Sequence, residues 1–294
     1  MSQTNPPSTK YYLLSFPRPH ILLVTINREK QLNALNNAAH YEGNAIFNWF
    51  DEEPSLRVAI ITGKGNKSFC AGQDLIEQAD NVDSVNSNNQ TSDGKDVEKQ
   101  TQETEDKRAF VLPPGGFMGV SRRRGKKPII AAVNGYALGG GFEICLNCDM
   151  IIASPTATFG LPEAQVGLYA AAGGLPRLAR ICGMQLASEL ALTNRRLTAA
   201  EAKGYFLVNR ISATPESLLS EALDMAQRIV DLSPDAIIAS RHGLREAWEN
   251  ANVDDATDRT FALFAERLRN APNFAIGVKA FKEKKKPVWV DSKL

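Results

Sequence analysis

Two carboxylates in apolar surroundings are the groups in this sequence best placed to do acid–base chemistry. Glu143 sits one turn into Gly139-Gly140-Gly141-Phe142-Glu143-Ile144-Cys145-Leu146, and Glu163 closes Thr158-Phe159-Gly160-Leu161-Pro162-Glu163. A carboxylate is seldom buried without a partner or a purpose. The triple glycine carries a separate signal. It leads a strand into a helix, lets a guest approach the backbone, and leaves the free N–H groups of the first helical turn pointing outward. Such a site takes an anion, either a phosphate or a developing thioester enolate. Glycines alone would only permit tight helix–sheet packing. Two acids beside a backbone oxyanion site suit proton abstraction or water activation next to a carbonyl.

The elements that must position these groups are legible in the hydrophobic pattern. Tyr11–Phe16 and Ile21–Asn27 read as strands joined by a turn over Pro17 to His20. Asn33-Ala34-Leu35-Asn36 reads as an Asn-capped entry to a helix running through Ala45, Ile46 and Trp49. Val58–Thr62, Pro128–Val133 and Met150–Ala153 are short apolar runs of the kind buried in a sheet. Strands alternating with helices at this spacing predict an α/β class with both sheet faces covered. After about Pro215 the pattern is purely helical, with Leu218, Ala222, Met225, Ala226 and Ile229, then Phe261, Phe264 and Leu268, at helical spacing. This divides the chain into a core over 1–214 and a helical region over 215–294. Within the core, residues 78–107 are so polar that they predict a mobile surface loop, with a lid that orders on binding as the alternative.

Composition sets the outer bounds. The 294 residues are 43% hydrophobic and 23% charged, with a formal net charge of +1, so no global field points to nucleic acid or a membrane surface. The N-terminus lacks the apolar core of a secretory signal, and no apolar run is long enough to span a bilayer. Four cysteines are too few for a disulfide scaffold of this size. Cys145 and Cys148 have zinc-like spacing, but they lie on an apolar helix without a second pair, so no metal is expected. His20, His40 and His242 are scattered and make no hydrolase pattern, and the basic run Arg122 to Lys127 reads as a solvated turn. Ser292-Lys293-Leu294 at the C-terminus spells an address read by the peroxisomal import receptor, which predicts a peroxisomal location.

Six ordered motifs make a more specific signal than any one of them. Asn27-Arg28 with Asn33-Ala34-Leu35 comes first, then Ala71-Gly72-x-Asp74-Leu75, Lys127-Pro128 through Glu143, and Phe159-Gly160-x-Pro162-Glu163. Gly173-Gly174-x-x-Arg177-Leu178 and Ala199-x-Glu201-Ala202 with Gly204 follow, and a final Ala280-Phe281-x-Glu283-Lys284-Lys285 adds to them. In this order they resemble the crotonase (enoyl-CoA hydratase/isomerase) superfamily over nearly the whole chain.

The resemblance implies a crotonase spiral of repeated ββα units followed by a helical C-terminal oligomerisation region, assembled as a homotrimer or hexamer. It implies an acyl-CoA substrate and no further cofactor, CoA being part of the substrate. By the same likeness, the backbone N–H groups of Ala71 and Gly140 hold the thioester oxygen, Glu163 handles the α-carbon proton, and Glu143 positions the attacking water. It places CoA and acyl contacts at Arg28, Ala34, Leu35, Cys70, Gly72, Asp74, Leu75, Gly139, Pro162 and Gly173, and at Lys284 for the phosphates. The paired glutamates favour a hydratase over a Δ3,Δ2-enoyl-CoA isomerase working through Glu163, or over a non-catalytic acyl-CoA-binding relative. Leu168-Tyr169-Ala170-Ala171-Ala172 and Gly173-Gly174-Leu175-Pro176-Arg177 depart from the commoner pattern beside the acyl pocket. With the polar insert and the S-K-L end, they resemble fungal peroxisomal members that tailor acyl groups for siderophores or toxins.

Overall fold

The computed structural model describes residues 5–79, 111–249 and 252–294. The polar segment lies outside them from residue 80 onward. A six-stranded sheet is ordered β1 (Tyr12–Arg18), β2 (Ile21–Ile26), β3 (Val58–Gly63), β5 (Ile129–Val133), β7 (Met150–Ala153), β10 (Arg210–Ile211). Only the β1–β2 pair is antiparallel. A second sheet is ordered β4 (Ser68–Cys70), β6 (Tyr136–Leu138), β8 (Thr158–Gly160), β9 (Leu197–Thr198), its first three strands parallel. Each of β3, β5 and β7 hands on to the next strand of the small sheet, and a helix follows. That is the repeated ββα unit.

The corner between the two strands of a unit has a visible cause. At Asn134-Gly135 the Asn134 side chain donates to the carbonyls of Gly63 and Gly65, tying one unit to the preceding one. A Cβ on Gly135 would fall 2.2 Å from the Lys67 carbonyl oxygen, so no other residue fits this corner.

Helix α1 (Asn37–Glu52) is capped by Asn36, whose side chain accepts the Ala39 amide at 3.0 Å. Its buried face (Ile46, Phe47, Phe50) joins the core between the sheets. In the second half, α2 (Gly140–Asn147) follows β6, and α3 (Gly174–Cys182) and α4 (Met184–Thr193) follow β8. After α5 (Ala199–Gly204) and β10 the described chain is helical: α6 (Leu218–Val230), α7 (Pro234–Glu249), α8 (Val253–Asn270) and α9 (Pro272–Glu283). Leu218, Ala222, Ala226 and Val230 of α6 pack on Ile21, Val58, Ile60, Ile130 and Ile152, so the large sheet is covered on both faces. Its strands accordingly read as continuous apolar runs rather than alternating ones.

Two local expectations are corrected. The first strand continues through Pro17 and Arg18, with an irregular register between Ser15 and Arg18, and the turn shrinks to Pro19-His20. An edge strand tolerates Pro17, which has no N–H to give to a ladder. The basic run is not a wholly solvated turn. Arg123 and Lys127 are buried: Arg123 ion-pairs with Asp51 of α1, and Lys127 Nζ donates to the carbonyls of Phe50 and Glu53. Burial lowers the Lys127 pKa to about 8.

Candidate active site

Because β4, β6 and β8 run parallel, their C-terminal ends open on one edge of the small sheet. Residues 71–74, 139–143 and 161–163 therefore meet there. Of these, residues 71–73, 139, 140, 143, 162 and 163 line a cavity of ≈ 410 Å³ whose other walls include Leu75, Leu112, Phe117 and the 165–172 loop. Gly139 caps α2 at φ 56°, ψ −128°, a conformation reserved for glycine, and swings the backbone so that α2 starts at the cavity. A Cβ on Gly72 would lie 3.0 Å from the Leu138 oxygen and 3.6 Å from the Gly140 nitrogen. The first two loops are thus in contact through bare backbone.

Gly140 opens α2, so its N–H has no intrahelical acceptor, and among the described residues it has no other. The expected second donor is corrected. Ala71 N–H is spent on the Leu32 carbonyl at 3.1 Å. The free amide lies two residues on. Leu35 N–H donates to Gly72 O and Asp74 N–H donates to Leu35 O, each at 2.9 Å, forming a parallel bridge. In that pattern the N–H of the bracketed residue, Gln73, points to the opposite side. It has no acceptor among the described residues. Gln73 and Gly140 are the pair of amides suited to an oxyanion.

Both carboxylates reach this cavity. Glu143 is 3% exposed, and its Oε1 accepts the Gly174 amide at 2.8 Å. Burial raises its pKa to about 7, against the Gly174 hydrogen bond, and the charge of Glu163 adds to the rise. Glu163 stands against Gly139: a Cβ there would be 3.3 Å from Glu163 Oε1. Its Oε2 is enclosed and has no partner among the described residues, and burial raises its pKa too. Two neighbouring acids whose pKa values are both raised by burial are suited to divide the roles of proton donor and acceptor. One can donate while the other accepts.

The sequence matches the enoyl-CoA hydratase/isomerase family over residues 18–292. The chain belongs to that family. It is 43% identical, over all of both chains, to a mevalonyl-coenzyme A hydratase of Aspergillus fumigatus. It is also 43% identical to one of Beauveria bassiana, over 98% of each chain. An enoyl-CoA hydratase from Mycobacterium tuberculosis has the same fold, with a TM-score of 0.80 and 32% identity over 96% of this chain and 99% of that one. The protein is an enoyl-CoA hydratase that adds or removes water across the double bond of an enoyl-CoA thioester.

The hydratase keeps several expected contact residues for its own scaffold. Arg28 and Asp74 form an ion pair at 2.9 Å with both side chains largely covered, and Arg28 also donates to the Ala34 carbonyl. Leu35 and Cys70 are fully buried, and burial pushes the Cys70 thiol up to about 12. Gly173 caps α3 and accepts from Arg177 Nη1, next to the Gly174 amide that holds Glu143. Lys284 is the C-cap of α9 and is not among the residues that line the cavity. Gly72, Leu75, Gly139 and Pro162 do line it. The sequence reading missed Gln73, Phe117 and Arg196 as lining residues, and His40 behind them. The position of Gln73 inside the Ala71-to-Leu75 motif was the one available signal.

Proposed function

We propose that the hydratase acts on a mevalonyl-CoA thioester, interconverting the 3,5-dihydroxy-3-methylpentanoyl group with its 2-enoyl form. The observation that carries this is identity of 43% across the full length with two fungal mevalonyl-CoA hydratases, on a chain that presents both glutamates to one cavity. In the hydration direction, ionised Glu143 takes a proton from water as the water oxygen bonds to C3. The electron pair moves onto the thioester oxygen, where the Gln73 and Gly140 amides stabilise it. Protonated Glu163 then delivers its proton to C2. Dehydration runs the same steps backwards, and exchange with solvent resets the two acids. Incubation with 5-hydroxy-3-methylpent-2-enoyl-CoA should yield the hydrated thioester; no conversion of it beside brisk hydration of straight-chain enoyl-CoAs contradicts the substrate.

The same reading places the enzyme in specialised acyl metabolism, of the kind that builds siderophores. Ser292-Lys293-Leu294 supports import into peroxisomes by the receptor that reads such ends. An N-terminally tagged fusion should appear in peroxisomes and become diffuse when Leu294 is deleted; a diffuse signal with the end intact contradicts this. Exposed Phe261, Phe274 and Phe281 on α8 and α9, the last 88% exposed, support assembly as a trimer or hexamer through these helices. A monomer mass by light scattering at micromolar concentration argues against it.

A further inference from the structure

The cavity wall is largely apolar, through Leu75, Leu112, Phe117, Val166 and Leu168, and Gln73, Gln78 and Gln165 are the side-chain amides among its lining residues. Gln73 Nε2 is enclosed and has no hydrogen-bond partner among the described residues. Its orientation is fixed from outside. The Met118 backbone N–H donates to His40 Nδ1 at 3.1 Å, so the ring proton of neutral His40 resides on Nε2. His40 Nε2 lies 2.8 Å from Gln73 Oε1 and donates to it. The amide oxygen is thereby taken, and the NH₂ end is left as the free donor. His40 is held in place by burial and by the Phe117 ring, 4.2 Å away between centroids. Burial also lowers its pKa to about 4, which keeps the ring neutral and this relay intact at physiological pH.

An unpartnered buried donor is costly unless a ligand supplies the acceptor. We infer that Gln73 is a specificity-determining residue, its Nε2 donating to an oxygen carried by the distal end of the acyl group, with His40 as the positioning residue behind it. The inference rests on the mevalonyl reading above. In that substrate the C3 hydroxyl belongs to the reaction and faces Glu143, so the remaining oxygen of the acyl chain is the primary hydroxyl at C5. A hydroxyl entering an apolar pocket needs a partner as much as the amide does.

The test compares kcat/KM for 5-hydroxy-3-methylpent-2-enoyl-CoA and for 3-methylhex-2-enoyl-CoA, in which a methyl group replaces the hydroxyl. The wild-type enzyme should prefer the hydroxylated substrate by roughly 10²-fold, since a site built to bond a hydroxyl rejects its apolar analogue. In Gln73→Met that preference should fall to within about threefold of unity, because the apolar side chain leaves the hydroxyl unpaired. The backbone role of residue 73 acts on both substrates alike, so the ratio isolates the side chain. His40→Phe should lower the ratio in the same direction, which a merely structural role would not do. A wild-type preference that survives Gln73→Met overturns the inference and leaves the mevalonyl reading standing. A wild-type enzyme with no preference, a result that needs no variant to fold, overturns the inference as well, whereas failure to hydrate the hydroxylated substrate at all overturns the mevalonyl reading.

Discussion

Glu143 Oε1 accepts the backbone amide of Gly174 at 2.8 Å, which anchors this carboxylate at the cavity wall. The bond joins the α2 acid to the first residue of α3, so the Gly173-Gly174 turn orients the acid that handles water. Glu163 has no such tether on Oε2 among the described residues. One acid is positioned by the protein, and the other waits for the substrate.

Replacing either acid separates their roles. Glu163→Gln should lower hydration by about 10²–10⁴-fold, the usual contribution of a positioned acid or base. It should also stop exchange of the C2 hydrogen with solvent deuterium. Glu143→Gln should suppress water addition to a similar extent. Steady-state rates with deuterium exchange followed by mass spectrometry give both readouts, and undiminished hydration in Glu143→Gln contradicts its assignment.

The raised pKa of Glu143 predicts a pH-dependent stability. The unfolded chain loses this proton near 4.5, whereas the folded chain keeps it to about 7. Between those values the folded state binds more protons, so stability from this group is present at low pH and is lost as pH rises through 7. The penalty is on the order of 3 kcal/mol at full ionisation. Urea unfolding of wild type and Glu143→Gln should therefore show the variant gaining on wild type from pH 4.5 to 7.5. A pH-independent difference contradicts burial of an ionisable Glu143.

The same proton predicts the acid limb of the rate profile. Hydration needs ionised Glu143, so kcat should fall as pH drops below about 7. A plot of kcat against pH that stays flat down to pH 5 would remove Glu143 as the base.

At the oxyanion site, a Cβ on Gly140 would fall 2.5 Å from the Phe117 ring. Gly140→Ala must displace either the ring or the start of α2, and with it the N–H. Loss of one such donor costs roughly 10²–10³-fold in kcat. Purified Gly140→Ala with a native circular dichroism spectrum and wild-type kcat contradicts this placement.

The Arg28–Asp74 pair holds the loop that carries Gln73 and is largely shielded from water. Arg28→Met should cost about 3–5 kcal/mol by stranding the Asp74 charge. The double change Arg28→Met with Asp74→Leu should recover part of it. Urea midpoints that add independently contradict a coupled pair.

Much of this arrangement was legible in the sequence because its signals are local. The apolar runs at 58–62 and 128–133, the glycines before Glu143 and the cap at Asn36 each announce an element through adjacent residues. The oxyanion donor was misplaced by two positions because which amide is free depends on the partner strand. Leu32 takes Ala71 N–H and Leu35 brackets Gln73, and neither pairing follows from residue types. Arg28 read as a CoA contact for the same reason: its carboxylate partner lies 46 positions away. His40 carries no local signal at all, because its meaning comes from Gln73 and Met118 brought to it by folding.

The most direct test of the account is the mass of the product formed from 5-hydroxy-3-methylpent-2-enoyl-CoA by purified enzyme and by Glu143→Gln. The account predicts a gain of one water with the wild-type enzyme, and none with the variant over the same interval. A shifted double bond without change of mass, or equal water addition by both proteins, would contradict it.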